Sequence, residues 1–304
     1  MKRRAVITGV GVTSAFGVGA ARLWAGLAEG RSAVGPIRSF DAATFPVQVA
    51  GEVPVVDADA DWLIEHAAHP SIDAVADGLD GVGGLRDRKV AFALVAAAEA
   101  WRSAGLDDGD AREAHVVLGL GLEHASLEDF APIFDRGPGR VDWAREPGAA
   151  IPELRFRQPL DLAARAVAEL LGVRGPVVAN VSACAAGALA IAQAAARIER
   201  GADLVVTGAA DSMVNPLGVA GMARLGAPSP RATALDACRP FDRHRDGLVI
   251  GEGGAVFVVE DEASTAWLKR GLPRTGSTRK AASVPIATSS TSPGCGACSN
   301  CSRK

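Results

Sequence analysis

No apolar run in this 304-residue chain approaches the length of a membrane span, so nothing in it calls for a bilayer. Basic residues are equally unclustered. The 32 Lys and Arg are scattered among 35 Asp and Glu, and with a net charge of -3 there is no basic footprint for nucleic acid. Cysteine is scarce: of five, only Cys184 and Cys238 lie where the composition is globular, which is the usage of a reduced protein rather than a disulfide-stapled one. Met1 to Arg4 opens like the basic part of a secretory signal, but Ala5 to Val10 is too short an apolar run to follow it, and Gly9, Gly11, Thr13 and Ser14 interrupt it. A cytoplasmic protein without nucleic-acid or membrane partners is expected. Gly9-Val10-Gly11 also lacks the third glycine of a dinucleotide loop, and no NAD, FAD or other cofactor is expected.

What is present suffices for a sizeable core: 48% of residues are hydrophobic and 22% charged. Strand and helix patterns alternate. Strands are predicted at Ala5–Thr8, Val116–Leu120, Pro176–Val181, Leu204–Gly208 and Gly254–Glu260. Helices are predicted at Ala20–Ala28, Arg88–Ala104, Leu160–Leu171 and Ala185–Ile198. Asp57 to Gly84 reads as surface loop with one short helix, and Phe130 to Pro152 as loop. Such alternation implies a largely parallel sheet covered on both faces. Beyond Gly271 the composition breaks: Leu272 to Lys304 has no acidic and no aromatic residue. Residues 272–304 are read as a low-complexity tail, disordered or frameshifted, behind a globular part at 1–271. Its Cys295, Cys298 and Cys301 have the spacing of the first three ligands of an iron-sulfur cluster, but no fourth tail ligand follows and no apolar residues flank them, so no metal is expected.

The stretch that organises the chain is GPVVANVSACAAGALAIAQAAARIERG, Gly175 to Gly201. A β-branched run turns into an Ala-rich helix, and Cys184 stands at the turn among the small residues Ser182, Ala183, Ala185, Ala186 and Gly187. A thiol at a helix N-terminus meets amides and a dipole that favour the thiolate and an oxyanion. The competing reading is a small buried hydrophobe. The helix itself is apolar on nearly every side from Ala185 to Ala196, which predicts burial all round.

VSACAAGALAI, with the upstream GVRGP, resembles the active-site segment of elongating β-ketoacyl-[acyl-carrier-protein] synthases. Further stretches resemble the family in order: AVITGVGVTSAFG, VVLGLG, ADLVVTGAADSMVNPLGVAGMARLGA and RPFDRHRDGLVIGEGGAVFVVED. The resemblance implies a thiolase-like, layered αβαβα fold of two similar halves, of which only the first is recognisable. It implies Cys184 as the nucleophile that accepts an acyl group from an acyl carrier protein, followed by decarboxylative condensation with malonyl carrier, in a homodimer. It also implies an acyl pocket near Leu122 and near Pro216, Leu217 and Gly218, although Glu123-His124 replaces the small glycines often found beside Leu122.

Two histidine motifs complete the family's site. Neither contains any of His66, His69, His115, His124 and His244, and no catalytic histidine is assigned. The chain is therefore expected to be an impaired, truncated synthase. A non-catalytic partner resembling a chain-length factor, or an inactive fragment, stays open as an alternative.

Overall fold

The computed structural model describes residues 3–55, 57–107, 109–111, 113–121, 159–231 and 233–263. In chain order these form β1 (Ala5–Ser14), β2 (Gly17–Val18), α1 (Ala20–Ala28), β3 (Gly35–Pro36), β4 (Val49–Gly51), α2 (Ala60–His66), α3 (Ile72–Gly81) and α4 (Arg88–Ser103). β5 (His115–Leu120), α5 (Leu162–Leu170), β6 (Val177–Asn180), α6 (Ala186–Glu199), β7 (Leu204–Ser212), α7 (Pro216–Arg224), α8 (Ala234–Ala237) and β8 (Ile250–Asp261) follow.

The main sheet runs β2-β1-β8-β7-β5-β6, with the β3-β4 pair attached through β4 to β8. It is mixed, not largely parallel. β5 pairs in parallel with β6 and β7, while β8 lies antiparallel to both β1 and β7. The cause is the connection between β7 and β8: its only helices among the described residues are the short α7 and α8, and α7 packs into a separate cluster with Ile37, Val47 and Ile250 rather than crossing a sheet face. The chain thus re-enters the sheet from the end at which it left.

One face of the sheet carries α4 and α5, whose Phe92, Leu94, Val167 and Leu170 pack with Val116, Leu118, Val206 and Val258. The other face carries α6, whose Ala190, Ala194 and Ile198 pack on Val117, Val205 and Val259. Along each strand the side chains alternate between these two cores, as the pleat requires. β1 extends well past Thr8 because its glycines serve packing: a Cβ on Gly11 would stand 1.9 Å from the Ala96 carbonyl oxygen of α4. Gly9-Val10-Gly11 is therefore a seat for a helix. Asp57 to Gly84 holds two helices, α2 and α3, where one was expected. Asp59 caps α2 by accepting from the Trp62 amide; Leu63 is the buried position of α2, and Val75, Ala76 and Leu79 are buried positions of α3. No helix among the described residues is long and apolar enough to cross a membrane.

Candidate functional site

β6 delivers the chain to the C-terminal end of the parallel strands, where a single 3-10 turn, Ala183–Ala185, carries Cys184 before α6 begins. The turn is closed by the Ala185 amide donating 3.1 Å to the Ser182 carbonyl and by the Ala186 amide donating to that of Ala183. Ala183 takes φ 48°, a left-handed conformation that costs an alanine on the order of 1 kcal/mol and persists only where its surroundings impose it. Nothing in an alanine announces that conformation. Cys184 is exposed, which removes the reading of a buried hydrophobe.

What imposes the turn is close packing and a side-chain clasp. Gly119 of β5 faces α6, and a Cβ there would stand 2.4 Å from the Ala186 carbonyl carbon. Gly187 rests on the Ala209 methyl group of β7. Beside Gly119 in the ladder, Asn180 donates through Nδ2 to the Ala186 carbonyl at 3.0 Å, and its Oδ1 accepts from the Ser182 hydroxyl. Sequence reasoning passed over Asn180; its signal was an amide in an otherwise apolar strand.

The outer side of α6 is not buried as expected. Ala186, Ala190, Ala194, Ala195 and Ile198 are covered, but Ala185, Ala188, Leu189 and Ala192 are open, with Leu189 43% exposed. Among the described residues only one sheet packs on this helix, so its second apolar side faces outward.

Pro216, Leu217 and Gly218 form the first turn of α7, at the same end of the sheet as Cys184, with β5 between the two strands that lead to them. Asn215 caps this helix, its side chain accepting from the Gly218 amide at 2.8 Å, so these three residues stand at a defined helix start. Leu122 lies outside the described residues, as do Cys295, Cys298 and Cys301.

The strand end before α7 is held by Glu252, whose side chain is fully buried. Its carboxylate accepts from Arg88 Nη2 at 2.6 Å and Nε at 3.1 Å, from the Val53 amide at 3.0 Å and from the Ser212 hydroxyl at 2.6 Å. The guanidinium also lies over the Phe92 ring. One carboxylate thus joins β4's exit, α4, β7 and β8. Nearby, Lys89 and Asp87 form a buried ion pair, and the carboxyl of Asp211 lies over Gly121, with burial raising it above its ordinary value.

No hydrogen bond or ion pair given for a described histidine involves Cys184. His115 opens β5 at the opposite sheet end, His66 stacks on Trp62, and the His244 amide donates to Asp242. Among the described residues no group of three or more His, Cys, Asp or Glu is arranged to hold a metal.

Residues 2–264 match the family described as "Beta-ketoacyl synthase, N-terminal domain". The 3-oxoacyl-[acyl-carrier-protein] synthase 2 of Coxiella burnetii is 32% identical over 266 residues, covering 86% of this chain and 58% of that protein. The tetracenomycin polyketide synthase ketoacyl synthase alpha subunit of Streptomyces glaucescens is 32% identical over 265 residues, again 86% and 58%. Among solved structures, the ishigamide ketosynthase/chain length factor superposes with a TM-score of 0.66 at 29% identity, covering 89% of this chain and 61% of that one. The chain thus spans less than two thirds of the length of the relatives it matches.

Proposed function

Because the chain belongs to the β-ketoacyl synthase family through that family's N-terminal domain, we propose that it supplies the acyl-accepting half of a condensing enzyme, with Cys184 as nucleophile. The observation that carries the reading is the exposed thiol on a conformationally imposed turn between a strand and the helix that packs on it. An acyl group would arrive as a thioester on an acyl carrier protein. The Cys184 sulfur attacks the carbonyl, a new C–S bond forms, and the bond to the carrier sulfur breaks. The carrier thiolate leaves and takes up the proton that Cys184 gave. The Cys184 amide is the oxyanion donor that the family resemblance assigns, at the head of a turn whose next two amides are already engaged.

The second stage, decarboxylation of malonyl carrier and attack on the acyl-enzyme, uses histidines in two motifs that this sequence does not contain. We therefore read residues 1–271 as able to load and not to condense unaided, with residues 272–304 contributing no chemistry. Pro216, Leu217, Gly218 and Leu122 are proposed to line the acyl chain's path, and a cytoplasmic homodimer is the proposed assembly. A chain-length-factor role is the second reading; the nucleophilic cysteine, which such partners usually replace, speaks against it.

The test is incubation of the full chain with acyl-loaded carrier protein, read by intact and peptide mass spectrometry. An acyl adduct on Cys184, absent from Cys184→Ala, with no β-ketoacyl product after malonyl carrier is added, is the expected result. No adduct on Cys184 would overturn the assignment.

A further inference from the structure

Cys184 is exposed and its own side chain is held by little, so its direction must come from the backbone of the turn that carries it. That turn contains a left-handed alanine, Ala183, immediately before the cysteine. Two contacts around it converge on one side chain. Asn180 accepts from the Ser182 hydroxyl on the near side of Cys184 and donates to the Ala186 carbonyl on the far side, so a single amide spans the turn. Asn180 is itself fixed: its backbone lies in β6, paired in register with Gly119, against which the Ala186 carbonyl is also pressed.

We propose that Asn180 is a positioning residue for acyl transfer, clasping Ser182 to Ala186 so that the Ala183 conformation, and with it the aim of the Cys184 sulfur and amide, is set before substrate arrives. The inference rests on the reading of Cys184 as the acyl acceptor. An apolar side chain at 180 would fill the same place in the edge strand and make neither bond. The turn would then relax toward right-handed φ at Ala183, swinging the thiol and its amide away from a common carbonyl. Attack on a thioester needs both in place, whereas alkylation by a small reagent needs only a reachable thiol.

The experiment compares the full chain with Asn180→Val, Ser182→Ala and the pair, measuring acylation of Cys184 from acyl-carrier thioester, alkylation by iodoacetamide and the thermal midpoint. Each single variant should slow acylation on the order of tenfold to 100-fold while alkylation stays within about twofold. The double variant should be no slower than the worse single one, because both break one clasp. Ser182→Thr, which keeps the hydroxyl, should retain most of the acylation rate. If Asn180→Val does not fold, Ser182→Ala breaks the clasp from an exposed residue and carries the test. Acylation unchanged in the variants overturns the positioning role and leaves the nucleophile standing. A wild-type chain that takes up no acyl group overturns both.

Discussion

The carbonyl oxygen of Ala186 lies against the Cα of Gly119, so that a methyl group on that glycine would stand 2.5 Å from it. The contact seats the first turn of α6 on β5 and fixes the height of Cys184 above the sheet. Gly119→Ala must push the helix outward, because the clashing atoms are backbone and cannot rotate aside. A loss of about 1–3 kcal/mol in urea unfolding is expected, together with loss of acylation at Cys184. An alanine variant with wild-type stability and loading would contradict the packing described.

Glu252 receives bonds from Arg88, Val53 and Ser212 with its side chain fully buried. Glu252→Ala leaves the Arg88 guanidinium short of its main counter-charge and the strand ends untied, for which about 3–5 kcal/mol is the expected loss. A chevron or equilibrium urea series would read it. A loss below about 1 kcal/mol would mean that water replaces the carboxylate easily.

His115 is held below the ordinary histidine value of 6.5 by burial, with Arg197 adding to the effect. Folding therefore favours the neutral ring. The stability this contributes is present above 6.5 and drains away as pH falls through the lower folded value. Thermal midpoints of wild type should drop between pH 7.5 and pH 5 more than those of His115→Leu. Parallel curves would refute the assignment.

Asp211 behaves in the opposite sense. Burial lifts its carboxyl above 3.8, so the protonated form is favoured in the fold, and stability falls as pH rises through the folded value. Asp211→Asn should gain on wild type between pH 3.5 and pH 7, measured as the difference between their urea midpoints. A constant difference would mean that the carboxyl is not strained by its seat over Gly121.

The open side of α6 exposes Leu189 beside Ala185, Ala188 and Ala192. Association of the full chain in sedimentation velocity is expected, and Leu189→Glu should shift the distribution toward monomer without lowering the thermal midpoint. A wild-type chain that is already monomeric and soluble at high concentration would end this expectation.

Much of this architecture was legible in residue patterns. The strand-turn-helix around Cys184 was, because a β-branched run meeting an Ala-rich one changes period at a defined point. The helix Arg88 to Ala104 was, because Phe92, Leu94 and Trp101 recur at helical spacing and Gly105 stops it. Strand direction was not, since periodicity is the same for parallel and antiparallel neighbours, and only the route from β7 to β8 decides it. Burial all round α6 was inferred from its composition, yet composition records what a helix was selected to touch and not what packs on it here. Glu252 escaped because its role is made of contacts between residues distant in sequence, Ala183 because alanine does not advertise its backbone angle, and Asn180 because its bonds to Ser182 and Ala186 are local but exist only once the turn has its shape.

β8 lies between β1 and β7, so the first described strand, paired before then only with the two-residue β2, waits for the last described strand before it gains a long partner. At ribosomal speeds of roughly 5–20 residues per second, the stretch from Ala5 to Asp261 takes on the order of ten to fifty seconds to appear. Throughout that interval β1 has no long neighbour, and α4, already complete, has only part of the sheet on which to lie. The nascent polypeptide is thus committed to a long unclosed phase, and slowing or stalling of translation before Ile250 would fall on a chain whose sheet is still in three pieces, β1-β2, β3-β4 and β5-β6-β7.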